Sequence, residues 1–337
     1  MKKWLLGMAP AEIKEVVKEL ALPAFTANQI VGWLYKKKVA DIESMTNLSK
    51  VTRTLLSESY EVGGFSPLEK HLSSDGTKKY LFPSVNGTSV ESVMIPEEER
   101  RTICVSSQSG CKMACRFCMT GRMGFRGNLT AGEIISQFIN IEESDDLTNA
   151  VFMGMGEPLD NYDQVIKAID IITSDWGFGW SPKRITLSSI GVTPALKSFL
   201  DNSKCHLAIS LHNPFDQERL EIMPMQKAWP IAKTMELIRE YDFSGQRRVS
   251  FEYIMFDGVN DSKRHADALT RMLRGLECRV NLIRFHEIPD SNLRTSPMPV
   301  IEKFRERLNK SGIMATIRAS RGEDIMAACG MLSGQKV

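Results

Sequence analysis

Three cysteines stand close together in Gly110-Cys111-Lys112-Met113-Ala114-Cys115-Arg116-Phe117-Cys118, a C-x3-C-x2-C pattern. Three thiolates on so short a loop can chelate an iron–sulfur cube at three corners. The fourth iron is then open to an atom of a substrate, unlike the irons of a four-cysteine electron-transfer cluster. The other chemistry open to this loop is a zinc site completed by Cys104 or Cys329, although zinc knots more often use two C-x2-C pairs and the chain has no second pair. The remaining thiols are scattered: Cys104 just upstream, then Cys205, Cys278 and Cys329. The total of seven is odd, so the cysteines cannot all pair within one chain.

The rest of the chain must hold that loop. With 337 residues, 42% apolar and 25% charged, it has the composition of an ordinary globular protein and is neither disordered nor fibrous. Forty-three basic against 41 acidic residues give a formal charge of +2, which excludes a polyanion binder driven by net charge alone but leaves room for a local basic face. The opening Met1 to Ala9 mimics a signal peptide. Its apolar stretch is too short, however, and Glu12-Ile13-Lys14-Glu15 follows at once, so it reads as the start of a helix. No apolar run approaches the length of a membrane span. The expectation is a cytoplasmic protein with no membrane partner, whose thiols serve metal or redox chemistry rather than structural disulfides.

Residues 9 to 60 read as short amphipathic helices, with apolar positions Ile13, Val16, Val17 and Leu20 in the first and a second run from Asn28 to Lys37. The triplet Lys36-Lys37-Lys38 reads chiefly as a solvated helix end. Beyond a Gly- and Ser-rich boundary from Gly63 to Lys79, the runs Lys79 to Phe82 and Ser89 to Ile95 flank Asn86-Gly87, the signature of a β-hairpin. Seven β-rich runs then alternate with helical patterns: Thr102–Val105, Ala150–Met153, Arg184–Leu187, His206–Leu211, Arg248–Met255, Arg279–Ile283 and Ile313–Ile317. Such alternation implies a parallel sheet with right-handed crossovers, an α/β class. The expected architecture is an incomplete TIM-like (β/α)6 barrel over residues 97–337, preceded by a helical domain at 1–60 and a linker with the hairpin at 61–96. In a barrel of this kind, chemistry collects at the C-terminal ends of the strands.

The cysteine spacing, with Phe117 just before the last cysteine, resembles the radical S-adenosylmethionine (SAM) superfamily. The resemblance implies a barrel that carries a [4Fe–4S] cluster on Cys111, Cys115 and Cys118, with SAM at the open iron. An electron from an external one-electron reductant then cleaves the sulfonium to methionine and a 5'-deoxyadenosyl radical. Gly154-Met155-Gly156-Glu157-Pro158 resembles the segment that grips the SAM amino group, which implicates Gly156 and Glu157. Ser188 and Ser210-Leu211-His212 end strands at the same rim.

Val90-Glu91-Ser92-Val93, Thr102-Ile103-Cys104-Val105-Ser106-Ser107-Gln108, the cysteine loop and the ending Gly322-Glu323-Asp324-Ile325-Met326-Ala327-Ala328-Cys329-Gly330 together resemble the adenine-C2 RNA methyltransferases over nearly the whole chain. That family modifies one adenine in 23S ribosomal RNA and one beside the anticodon in transfer RNA. Carbon 2 of adenine is electron-poor and does not attack an electrophilic methyl group, whereas a carbon radical can add to it. The resemblance implies two SAM molecules per turnover: Cys329 takes a methyl group from the first, and the radical made from the second abstracts a hydrogen from that methyl. The carbon on Cys329 then adds to the base. Glu91 matches the family's proton acceptor, and Cys104 matches the thiol that releases the product through a transient disulfide with Cys329. An ordinary thiol with a pKa near 8.5 is only a few per cent ionised at neutral pH, so the pocket is expected to favour the Cys329 thiolate. Cys205 and Cys278 match no functional position and read as core thiols.

RNA must reach the barrel mouth, so a basic rim is expected from Lys112, Arg116, Arg122, Arg126, Arg318 and Arg321. At the sixth strand the family commonly has Asn followed by Pro, with the Asn on SAM. This chain has His286-Glu287, and an imidazole offers one donor and one acceptor in place of the amide. A monomer is expected. The sister activity at carbon 8 of the same ribosomal adenine would share the cysteines, but Ser73-Ser74-Asp75-Gly76-Thr77 resembles the carbon-2 enzymes more closely. A radical SAM enzyme acting on a protein or peptide would have no use for the Cys104 and Cys329 pair. A zinc-containing nucleic-acid binding module is the non-enzymatic alternative.

Overall fold

Ten strands form one sheet in the computed structural model, which describes residues 2–245 and 247–334. Numbered in chain order they are β1 (Glu69–Leu72), β2 (Lys78–Pro83), β3 (Ser89–Pro96), β4 (Arg101–Cys104), β5 (Asn149–Phe152), β6 (Ile185–Ser189), β7 (His206–Ser210), β8 (Val249–Met255), β9 (Cys278–Arg284) and β10 (Met314–Ile317). Each strand pairs with its neighbour in sequence. Pairing from β1 to β4 is antiparallel, and from β4 to β10 it is parallel. All seven β-rich runs therefore become parallel strands, and the short β10 extends the six-unit barrel by one. Strands buried on both faces read as near-continuous apolar runs, which is why Phe251, Tyr253 and Met255 on one face of β8 are fully enclosed while Ile254 on the other is also buried.

Local signals account for the elements between strands. Helix Ala131–Ile139 starts at a capping box in which the Thr130 hydroxyl accepts from the Glu133 N–H at 3.2 Å and Glu133 Oε2 accepts from the Thr130 N–H at 2.8 Å. The hairpin between β2 and β3 closes where the Thr88 N–H donates to Asn86 Oδ1 and Gly87 sits at φ +77°. β3 also pairs with β4, so hairpin and barrel share one sheet.

Two expectations fail. The N-terminus does not open as a helix: Lys3–Trp4 is a strand beside Tyr60–Glu61, and the first helix begins at Pro10. Gly7, at φ +91°, follows because a Cβ there would lie 2.3 Å from the Gly132 nitrogen, so only glycine lets this segment press on the Ala131–Ile139 helix. The stretch read as a boundary contains β1, whose alternating Glu69-Lys70-His71-Leu72 is too polar to register as a strand. Helices Pro10–Glu19, Thr26–Tyr35 and Lys50–Ser59 share one apolar core with the sheet. A second, smaller apolar cluster lies at the C-terminal ends of the parallel strands. No helix among the described residues is long and apolar enough to cross a membrane.

Candidate active site

After β4, the strand Gln108–Gly110 pairs antiparallel with Phe125–Asn128, and the chain between them carries Cys111, Cys115 and Cys118. This ribbon is held from three sides. The Arg116 N–H donates to the Ile222 carbonyl at 3.0 Å, and the Met119 N–H donates to the Gly330 carbonyl at 2.7 Å. Phe117 packs edge-on against His212, with ring centroids 4.9 Å apart. Phe117 and Cys115 belong to the second apolar cluster with Ile190, Ile254, Phe256 and Phe285, all at or just beyond strand ends.

All three thiols are pushed upward in pKa, Cys111 to about 12, first by burial; at Cys111 the Glu157 carboxylate and then Cys118 add to it, and at Cys115 the thiols of Cys118 and Cys111 do. Without a bound cation these thiols stay protonated, and a cationic centre that replaced their protons would stabilise them as thiolates. The donor set therefore fits an iron–sulfur cluster.

The second component follows β5. Glu157 is buried, its Oε2 accepting from the Ile190 N–H at 3.0 Å and its Oε1 from the Leu159 N–H at 3.2 Å. Burial raises its pKa to about 7 against those hydrogen bonds and that of the Ser189 hydroxyl, and a cation placed beside it would favour the carboxylate. Gly156 lies at φ +100°, and a Cβ on it would lie 2.5 Å from that of Gln108. Ser188 and Ser210 are half-buried at the ends of β6 and β7, and Leu211 and His212 are buried beyond β7. His212, at φ +55°, accepts the Ile254 N–H on Nδ1 at 3.0 Å, and burial drops its pKa to about 3. It is a neutral imidazole that carries its proton on Nε2.

The third component arrives from the far end of the chain. Residues 322–332 cross the mouth, tied to the ribbon by Gly330 and by the Thr120 hydroxyl, which donates to the Leu332 carbonyl at 2.7 Å. The turn Ser73–Thr77 holds the same segment: the Ser73 hydroxyl and Ser74 N–H donate to Asp324, and the Gly322 N–H donates to Asp75 Oδ2 at 3.0 Å. Against the opposing pull of burial, hydrogen bonds from Thr77 and Gly322 hold the Asp75 carboxyl down at about 2. Cys329 is thereby brought within electrostatic reach of Cys104, Cys118, Glu252 and Arg318.

Several expectations need correction here. Cys329 itself is exposed on the segment, yet the surroundings do not favour its thiolate: the protein crowded around it and then the Glu252 carboxylate raise its pKa, and Arg318 only partly opposes them. Cys104 is buried and raised to about 12 by burial and by Cys329. Both are free thiols here, as are the other five cysteines, so the structure gives no support to the transient disulfide between them. Glu91, matched to the family's proton acceptor, is 1% exposed. Its Oε1 pairs with Lys79 Nζ at 3.0 Å and its Oε2 accepts from the Ser333 and Gly334 N–H groups. His286 is buried with Nδ1 3.3 Å from Glu323 Oε1, so it faces the Cys329 segment. Cys205 is buried and Cys278 half-buried. Of the basic rim, Lys112 pairs with Asp160 at 2.8 Å, Arg122 donates to the carbonyls of Pro289 and Asp290, and Arg116, Arg126 and Arg318 are exposed.

Three contributors escaped the sequence reading. Gln108 accepts the Glu157 N–H on Oε1 and donates to Asn128 and Asp160 through Nε2. Lys79 pairs with Glu91, and Arg219 lies fully buried beneath the ribbon. Only Arg219 left a usable signal, a charged residue three positions before Ile222 and therefore on the inward face of its helix.

Residues 105–269 match the radical SAM superfamily. A radical SAM methyltransferase from Sphaerobacter thermophilus superposes with a TM-score of 0.93 at 37% identity, covering 98% of this chain and 99% of that one. The class is thus an α/β radical SAM protein, whose cofactors are a [4Fe–4S] cluster and SAM. Residues 4–62 match the ribosomal RNA large subunit methyltransferase N-terminal domain. The probable dual-specificity RNA methyltransferase RlmN of Parabacteroides distasonis is 56% identical over 99% of this chain and 98% of its own length. The dual-specificity RNA methyltransferase RlmN of Syntrophus aciditrophicus is 42% identical over 97% and 95%. The chain belongs to this RlmN family of radical SAM RNA methyltransferases.

Proposed function

We propose that the protein methylates carbon 2 of adenine in 23S ribosomal RNA and beside the anticodon of transfer RNA, with Cys329 as the methyl carrier. The observation that carries this reading is the convergence of Cys104, Cys118 and Cys329 from three distant parts of the chain at the mouth of the barrel.

Cys111, Cys115 and Cys118 would hold the cluster, and Gly156, Glu157, Ser188, Ser210, Leu211, His212 and His286 would line the SAM site. When bound, these groups supply an electron from an external reductant and a carbon-centred radical that abstracts hydrogen. The chain's own residues do the rest. Glu157 offers a buried carboxylate to the ammonium of SAM, and neutral His212 keeps a second positive charge out of the site. Cys329 Sγ loses its proton and displaces the methyl group from the sulfonium, holding it as a thioether that can be converted to a carbon radical and add to the base. Glu91 would take the proton from carbon 2 as the adduct gives up its unpaired electron; the Cys104 sulfur, its proton lost, then forms an S–S bond with Cys329 as the S–C bond to the methylated base breaks, and an external thiol reductant would reopen the disulfide. The apolar cluster around Phe117 and Phe256 walls one side of the site with side chains that carry no charge.

RNA would approach over the ribbon, where Phe125 is 39% exposed with Lys112 Nζ 4.3 Å above its ring and Arg116 and Arg126 lie alongside. We assign RNA binding to the helical residues 1–60, the hairpin extension to 61–96 and the chemistry to 97–337, in a monomer working in the reducing cytoplasm that keeps seven thiols free. Anaerobic turnover with each RNA followed by nucleoside mass spectrometry tests the assignment. 2-Methyladenosine is expected; 8-methyladenosine, or no methylated adenosine, overturns it.

A further inference from the structure

Arg219, on the helix Asp216–Ile222, is 1% exposed and is the bulkiest side chain the described fold encloses completely. Its guanidinium donates to four acceptors, and none is charged: the carbonyls of Leu211 at 3.0 Å, Ser210 at 2.9 Å and Ile190 at 3.4 Å, and the Gln226 side-chain oxygen. Among the described residues it forms no ion pair. Asp216, the one carboxylate whose charge it feels, is engaged by Gln226 Nε2 at 2.8 Å. A guanidinium taken out of water without a counter-ion is strongly unfavourable, and hydrogen bonds to neutral carbonyls return only part of the loss.

Apart from Asp216, reached only through Gln226, the negative charge missing from Arg219 lies toward the cysteine ribbon. The Arg219 cation is felt by the Cys115 thiol, and the carbonyl of Ile222, one turn along the same helix, receives the N–H of Arg116 from the cysteine ribbon. Its carbonyl partners are the ends of β6 and β7, which carry Ser188, Ser210 and Leu211. One buried cation thus ties the thiol loop to the strand ends proposed for SAM. We infer that Arg219 is the built-in counter-charge of the iron–sulfur cluster and a positioning residue for it, favouring the form that carries the extra electron. The inference rests on the three cysteines holding the cluster. The step concerned is the gain of one electron from an external one-electron donor; no bond forms or breaks and no proton moves.

The test compares wild type, Arg219→Gln and Arg219→Lys after anaerobic reconstitution with iron and sulfide. Iron content is measured, and the reduced fraction is followed by electron paramagnetic resonance in a mediated redox titration without SAM. A unit charge removed at side-chain range in a partly screened interior is worth about a tenfold change in equilibrium. Arg219→Gln should therefore load iron while its reduced-to-oxidised ratio at a fixed potential falls about tenfold, equal to about 59 mV for a one-electron couple. Arg219→Lys should stay within about threefold of wild type. Loss of the cluster in the Gln variant with a wild-type titration in the Lys variant also supports the charge role. A Gln variant that loads and titrates like wild type overturns it, as does equal loss of fold or cluster in both variants, which would make the residue a hydrogen-bonding strut. Wild type that takes up no iron would instead defeat the cluster assignment together with this inference.

Discussion

Replacing Glu157 with Gln separates the electrostatic cost of a buried carboxylate from its use. Below pH 4.5 the side chain is protonated in both folded and unfolded chains and contributes no pH dependence. Between pH 4.5 and about 7 the unfolded chain releases a proton that the folded chain retains, so stability falls as pH rises; above 7 the full cost is present. A gap of about 2.5 pH units at 1.36 kcal/mol each amounts to about 3 kcal/mol. Gln has no such dependence. It does lose a hydrogen bond, because Glu157 serves Ile190 and Leu159 with separate oxygens and an amide has only one; that penalty of about 1–2 kcal/mol is the same at every pH. In urea unfolding without SAM, the stability of Glu157→Gln relative to wild type should therefore climb by about 3 kcal/mol from pH 4.5 to 7.5, while its SAM affinity drops. Unfolding curves for the two proteins that run parallel across that range would refute the reasoning.

Cys329→Ala should abolish RNA methylation while cluster assembly and reductive SAM cleavage persist, read by iron content and release of 5'-deoxyadenosine; full methylation by this variant would end its assignment as the carrier. Because the surrounding protein and Glu252 raise the Cys329 thiol above its ordinary value, methyl uptake on that exposed residue, followed by protein mass spectrometry with SAM alone, should keep rising through pH 9; a plateau near pH 8 would contradict this. Asp75→Ala frees the Gly322 N–H and should cost about 1 kcal/mol after allowance for solvent screening. The same change should speed hydrogen exchange at Gly322, and unaltered exchange would show that the turn does not hold the segment. RNA affinity should fall steeply and linearly with the logarithm of salt concentration, and a flat response would remove the basic rim from the binding surface.

The cysteine loop, the Glu157 segment and the strand–helix alternation were readable because each is a local pattern: ligand spacing, turn chemistry and apolar period lie within a few residues of covalent chain. The polar β1 and the Lys3–Trp4 strand were not, since both exist only through partners distant in sequence. The turn Ser73–Thr77 could be matched to a family but not to a task until Asp324 and Gly322 were seen docked on it.

By itself, then, the sequence determined that this is a parallel α/β protein with a three-thiol cluster loop and a late, isolated cysteine. Tertiary structure alone decided that Glu91 is enclosed against Lys79, that Cys329 comes within electrostatic reach of Cys104, and that a buried Arg219 lies within reach of Cys115 with no carboxylate paired to it. The division follows from physics. Coordination spacing and periodicity are short-range properties of the chain, whereas burial, pKa and charge compensation depend on which remote segments the folded sheet brings together.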